Sequence, residues 1–139
     1  MDYIKELEKD FPKAMSNVYC GADLPKGWLF LVREVMPLLE ASGCQIAQLK
    51  EKFGGLRLYF DYPEDGLSSE DKDKVWQAVR DAERRSFTVC EQCSAPGVTR
   101  DGGWLLTLCD PCSATRKEKM KQDKANYKAA LAAKKAKKK

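Results

Sequence analysis

Cys90-Glu-Gln-Cys93 and Cys109-Asp-Pro-Cys112 stand 15 residues apart. Two Cys-x-x-Cys pairs at that separation are the pattern of a four-thiolate zinc site. Thiolates are soft donors that suit tetrahedral Zn2+ at about 2.3 Å, and a two-residue spacer lets both sulfurs of a pair face one metal. Pro96-Gly97 supplies a tight turn of the kind that lets backbone amides point at such sulfurs. The expectation is one structural zinc ion held by Cys90, Cys93, Cys109 and Cys112. With every position filled by sulfur, no place remains for a substrate, so the motif argues for architecture and against catalysis at the metal. Disulfides, an iron–sulfur cluster and redox-active thiols are the alternatives. Cys20 and Cys44 stand outside the pattern and are expected as small buried hydrophobes.

Other reaction chemistry finds little footing. The chain has no His, which removes His-based triads, His-liganded metals and the zinc-deaminase signature. No phosphate-cradling glycine-rich motif is present. Asp and Glu are plentiful but form no recognisable catalytic pair, and no small-molecule substrate suggests itself. A non-enzymatic protein is therefore expected, with an unmarked carboxylate or metal-dependent active site as the competing reading.

Charge divides the chain in two. Residues 113–139 carry 11 Lys and Arg against 2 Asp and Glu, a net of +9. Residues 1–112 carry 14 against 19, a net of −5. An acidic body thus bears a basic tail, which the overall +4 conceals. No apolar run approaches the roughly 20 residues that cross a bilayer, and the N-terminus lacks a signal-peptide pattern. A cytoplasmic location follows as the expectation, in a compartment where paired thiols bind metal more often than they form disulfides.

The elements that must carry the cysteines can be read in order. Tyr3, Ile4, Leu7 and Phe11 have helical spacing before Pro12. A second helix is expected from Asp23 as N-cap, with Pro25 in its first turn, Pro37 as a kink or early end, and Gly43 as a stop. Residues 45–53 then lead into Gly54-Gly55 and the alternating run 56–62, a hairpin whose turn takes its positive φ angles from the glycine pair. Leu56, Leu58, Phe60 and Tyr62 share one face of it; Arg57, Tyr59 and Asp61 share the other. A third helix opens at Ser68, its first turn loaded with Glu70, Asp71 and Asp73, and buries Val75, Trp76, Val79 and Ala82. Phe87-Thr88-Val89 reads as a short strand into the first cysteine pair. Residues 98–100 and 104–108 read as a second hairpin into the second pair.

Knuckle, hairpin and then two ligands at the head of a helix is the order of a treble-clef zinc module, with a zinc ribbon as the alternative. The fold class read is α+β: helices packed on a small antiparallel sheet, a four-cysteine module, and a basic C-terminal helix. Residues 1–86 form the body, 87–115 the metal module and 116–139 the helical tail. Lys134, Lys135, Lys137, Lys138 and Lys139 are expected to fray.

Two charged surfaces could meet a partner. Lys50, Lys52 and Arg57 on the first hairpin form a candidate basic edge. Arg116, Lys117, Lys119, Lys121, Lys124 and Lys128 on the tail could neutralise phosphates of DNA or RNA without reading sequence, because only Tyr127 could stack there. The carboxylates Asp61, Glu64, Asp65, Glu70, Asp71 and Asp73 decorate a helix start, or mimic phosphate toward a basic partner.

Several of these motifs occur together in a recognisable way: Gly27-Trp28, the run Lys50-Glu51-Lys52-Phe53-Gly54-Gly55-Leu56-Arg57, and Gly102-Gly103-Trp104-Leu105 before the second cysteine pair. Over about residues 25–112 the chain resembles a family of small uncharacterised proteins met in bacteriophages, prophages and bacteria. Ser94 stands where that pattern has a glycine. The resemblance implies no activity. It implies a setting in which a small protein binds a host protein or nucleoprotein complex, inhibition of a defence system such as a CRISPR effector being one form.

Overall fold

The computed structural model describes residues 2–101 and 104–137. The chain divides into two compact units, Met1–Cys109 and Asp110–Lys139. The first unit is a mixture of helices and two small antiparallel sheets, in the order α1 (Tyr3–Asp10), a 3-10 turn (Lys26–Trp28), α2 (Leu29–Ser42), β1 (Gln45–Lys52), β2 (Gly55–Asp61), α3 (Ser69–Ser86), β3 (Val98–Asp101) and β4 (Leu105–Leu108). The second unit is one helix, α4 (Asp110–Lys137).

Asp2 caps α1, its carboxylate accepting from the amides of Ile4 and Lys5 at 3.1 Å each. The following segment runs along β1 and covers its outer edge: Leu49 exchanges hydrogen bonds with Gly21 and Asp23, and Cys20 donates to Ala47. This pairing holds the chain extended along β1 as far as Asp23, and Pro25 is extended as well (φ -60, ψ 135), so the helix expected to start at Asp23 begins later, as the 3-10 turn and then α2. Pro37 neither ends nor splits α2, which continues to Ser42 and closes on Gly43 at φ +78. It sits at an exposed position, where water can solvate the carbonyl its missing N–H leaves free.

The hairpin turn falls one residue earlier than the glycine pair suggests. Phe53 (φ +56) and Gly54 (φ +83) form it, with Lys52 opposite Gly55. Gly55 serves a different need, because a Cβ there would lie 2.3 Å from the ring of Phe87. A bulge between Ile46 and Gln48 offsets the pairing. The free edge of β2 is closed by α3: Leu56 donates to the Ser86 hydroxyl at 2.8 Å and Leu58 to the Glu83 carboxylate at 3.0 Å. Side chains of a helix thus stand where a third strand would otherwise pair.

Ser68 caps α3 through Asp71 N at 3.1 Å. Val75, Val79 and Ala82 are buried, but Trp76 is 47% exposed, a correction to the expected buried stripe. One helical step round from Val75, it lies at the rim between Phe60 (6.1 Å) and the Arg80 guanidinium (5.6 Å). The core gathers Leu7, Trp28, Leu31, Met36, Leu39, Ile46, Leu49 and Leu56, all at 1% exposure or less. Burying such side chains contributes about 1.5–3 kcal/mol each. Cys44 belongs to this core, whereas Cys20 is exposed on the edge-covering segment, contrary to expectation.

Phe87-Thr88-Val89 is not a strand. The amides of these three residues still reach back to Arg84, Arg85 and Ser86, so the helical winding persists past α3, and only Val89 pairs, with Pro96. Lys134, Lys135 and Lys137 lie within α4, where the surrounding alanines favour helix; Lys138 and Lys139 lie outside the described residues.

Candidate metal centre

Backbone packing builds the first cysteine pair into a fixed knuckle. The Cys90 amide donates to Ala95 O at 2.7 Å, and Ser94 N returns to Cys90 O at 3.0 Å. The loop closes through Ser94 at φ +73, a left-handed conformation that glycine adopts without cost. Gly97 continues it, placed where a Cβ would meet Leu108 C at 3.0 Å and Cys90 N at 3.1 Å.

The knuckle rests on the start of the apolar helix. Gly27 donates to Glu91 O at 2.8 Å, and the Trp28 indole donates to Val89 O at 2.9 Å. Ser94 donates its hydroxyl to Gly27 O at 2.7 Å. A Cβ on Gly27 would stand 2.3 Å from Cys90 O and 2.5 Å from Glu91 O. The Gly-Trp pair therefore allows one backbone to lie directly on another while the indole anchors the seat.

The hairpin β3–β4 carries the chain to the second pair. Thr99 faces Thr107 across it, their hydroxyls 2.9 Å apart. Thr107 donates to Gly54 O at 2.6 Å; its proton being committed there, Thr99 is the donor between the two hydroxyls. Glu91 N donates to Thr107 O at 3.0 Å, so one threonine ties β4 to both the knuckle and the β1–β2 turn. Arg100 Nε donates to Leu108 O at 3.1 Å, just before Cys109.

The sulfurs of Cys90, Cys93, Cys109 and Cys112 all lie within 4.8 Å of one another, with Cys93 and Cys109 3.5 Å apart. Four sulfurs around a tetrahedral Zn2+ would stand about 3.8 Å apart. All six cysteines are free thiols. Burial pushes the Cys90 thiol up, but hydrogen bonds from the backbone of Cys109, Cys93 and Gln92 and from the Cys93 side chain outweigh it, lowering it from 9.0 to about 6. Donors aimed at a buried sulfur favour its thiolate, the form that binds a metal. The donor set and spacing thus fit a metal ion held by four sulfurs.

The other residues singled out from sequence fall into two groups. Lys50 and Arg57 are cross-strand partners on β1 and β2. The Lys50 ammonium stands 5.8 Å from the Tyr59 ring and that of Lys52 5.4 Å from Phe53. Arg116, Lys117, Lys119, Lys121, Lys124 and Lys128 lie along α4. The carboxylates Asp61, Glu64, Asp65, Glu70, Asp71 and Asp73 are all exposed. Sequence reasoning missed a groove of about 670 Å³ in which Lys50 and Lys52 meet Phe53, Trp104 and Leu105. Phe53 and Trp104 are 62% and 66% exposed. Its sequence signal was a bulky aromatic immediately before Gly-Gly, in a turn where small residues are usual.

Comparison with protein-family models, with curated proteins and with solved structures finds no match. Among the described residues, no helix is long and apolar enough to cross a membrane.

Proposed function

We propose that this is a non-enzymatic binding protein, stapled by one structural zinc ion in a treble-clef-like module, that docks on a protein or nucleoprotein complex. The phage-type resemblance makes a host complex the target, with a defence effector as one form, and the host cytoplasm as the setting. The observation that carries the reading is the groove beside the metal module. Two large rings, Phe53 and Trp104, are held in solvent next to Lys50 and Lys52. Exposed aromatic rings are enriched at the anchoring centres of protein interfaces. Phe53 also occupies a positive φ, where a bulky residue is disfavoured. Strain retained at a surface aromatic is accounted for by what the ring contacts.

Two measurements test it. Protein purified without chelator under reducing conditions should hold about one zinc per chain; its absence would remove the staple. Separately, Lys50→Glu with Lys52→Glu should abolish retention of a host partner by immobilised protein, with fold and zinc content unchanged. Undiminished retention would overturn the groove edge as the docking surface.

A further inference from the structure

Five lysines of α4 share one face, while Arg116, Lys119 and Lys134 fall on the far side of the helix. At 100° per residue, Lys117, Lys121, Lys124, Lys128 and Lys135 fall within an arc of about 60° along roughly 27 Å of helix. Every position on that arc from 117 to 135 is lysine. Glu118 and Asp123 project elsewhere round the helix. All five lysines are exposed, and among the described residues none takes part in an ion pair.

Solubility alone does not account for this pattern. Lys117–Lys121 and Lys124–Lys128 are four apart and Lys121–Lys124 three apart, so the stripe places like charges side by side and weakens its own helix. The same charge spread round the helix would solubilise as well without that penalty. A polyanion laid along the stripe removes it, converting repulsion into attraction at every lysine.

We infer that α4 is a docking rod for the phosphate backbone of double-stranded nucleic acid, contacted through the Lys117–Lys135 stripe without regard to sequence. Lysine is a compact point charge suited to phosphates, and no Arg, Asn or Gln that could fork onto base edges lies on the stripe. A single strand would require aromatic platforms, and Tyr127 is the one aromatic of the helix. An anionic membrane would require a broad apolar face, and only Met120, Tyr127 and Leu131 flank the lysines. This inference goes beyond the groove reading and rests on none of its residues.

The test uses the full-length, zinc-loaded chain and three probes: a mixed-sequence 20-base-pair DNA duplex, one of its single strands, and phosphatidylserine-containing vesicles. Binding should be tightest to the duplex. Five phosphate contacts give a slope of about −4.5 for log affinity against log salt. Two variants of equal net charge are compared: Lys121→Gln with Lys128→Gln removes two stripe lysines, and Lys119→Gln with Lys134→Gln removes two from the far side of the helix. Loss of two contacts in the stripe variant should flatten the slope by about 1.8 and cost about 60-fold in affinity at 0.1 M salt. Circular dichroism on both variants should show unchanged helix. Equal loss of binding in the two would assign any effect to net charge and overturn the stripe. Preference for the single strand or the vesicles, or no duplex binding at low salt, would overturn the duplex. Lys50→Glu with Lys52→Glu should leave duplex binding unaltered, which separates this outcome from failure of the groove.

Discussion

Thr107 hydrogen-bonds to Gly54: its hydroxyl donates at 2.6 Å to a turn carbonyl 53 residues away in sequence. The contact joins β4, which leads to Cys109, to the tip of the β1–β2 hairpin, and it is buried. Removing the hydroxyl while keeping the shape leaves a buried carbonyl without its donor, at a cost of about 1–3 kcal/mol. Thr107→Val should therefore lower stability by about 2 kcal/mol in urea unfolding of the zinc-loaded protein. Thr107→Ser retains the donor and should lose less than half of that.

Gly27 leads to a sharper expectation. Its missing Cβ would overlap the backbone of Cys90 and Glu91 rather than a side chain that could swing aside. Gly27→Ala must push the knuckle away from α2 and should cost about 2–3 kcal/mol. Because the displaced atoms include those of Cys90, one of the four clustered cysteines, bound zinc should also be lost more rapidly to a colorimetric chelator. Gly21→Ala is the control: nothing lies within 4 Å of its Cβ position. It meets only the strain of φ +92, about 1 kcal/mol, and metal release should not change.

These two glycines also show what sequence can and cannot convey. Cysteine spacing is a local, chemically narrow signal, and it located the four converging sulfurs. The cap at Ser68 and the Val75–Val79–Ala82 stripe are likewise set by neighbours within a turn or two. Gly55 was legible as a turn residue only; its actual constraint is the Phe87 ring, 32 residues further on. Trp76 differs from Val75 by one helical step, too little for periodicity to decide which side of the core boundary it falls on. Asp23 has the residue type of an N-cap, yet the chain there is held extended along β1. Cys20 is exposed for the same reason, since the segment carrying it is an edge cover for β1. Where a residue answers to a distant strand or ring, its type alone misleads.

Ser94 balances two terms of similar size. Its φ of +73 costs about 1–2 kcal/mol in a residue with a side chain. Its hydroxyl bond to Gly27 O at 2.7 Å contributes about 1 kcal/mol in return. Ser94→Gly relieves the first and forfeits the second, so stability should change by less than about 1 kcal/mol. Ser94→Ala keeps the strain and loses the bond, and should be less stable than either by about 1 kcal/mol or more. Chemical denaturation of the three proteins side by side checks the order. An alanine variant as stable as the serine protein would show that the hydroxyl contact contributes nothing, and one as stable as the glycine variant that the positive φ costs nothing.

The six thiols should separate into three classes by alkylation. Cys20 is exposed and outside the cluster, so it should react at once with iodoacetamide whether or not metal is bound. Cys44 lies at 0% exposure in the core and should react only when the protein unfolds. Cys93 is exposed as well, yet a thiolate bound to zinc is withdrawn from alkylation, so it should be protected in the metal-loaded protein. Chelation should release it first, ahead of the half-buried Cys112 and the buried Cys90 and Cys109, because exposure governs access once the metal is gone. Peptide mapping by mass spectrometry over a time course reads all six sites together. Equal labelling of Cys20 and Cys93 in untreated, zinc-loaded protein would show that Cys93 is not a ligand, and would reduce the site to three sulfurs.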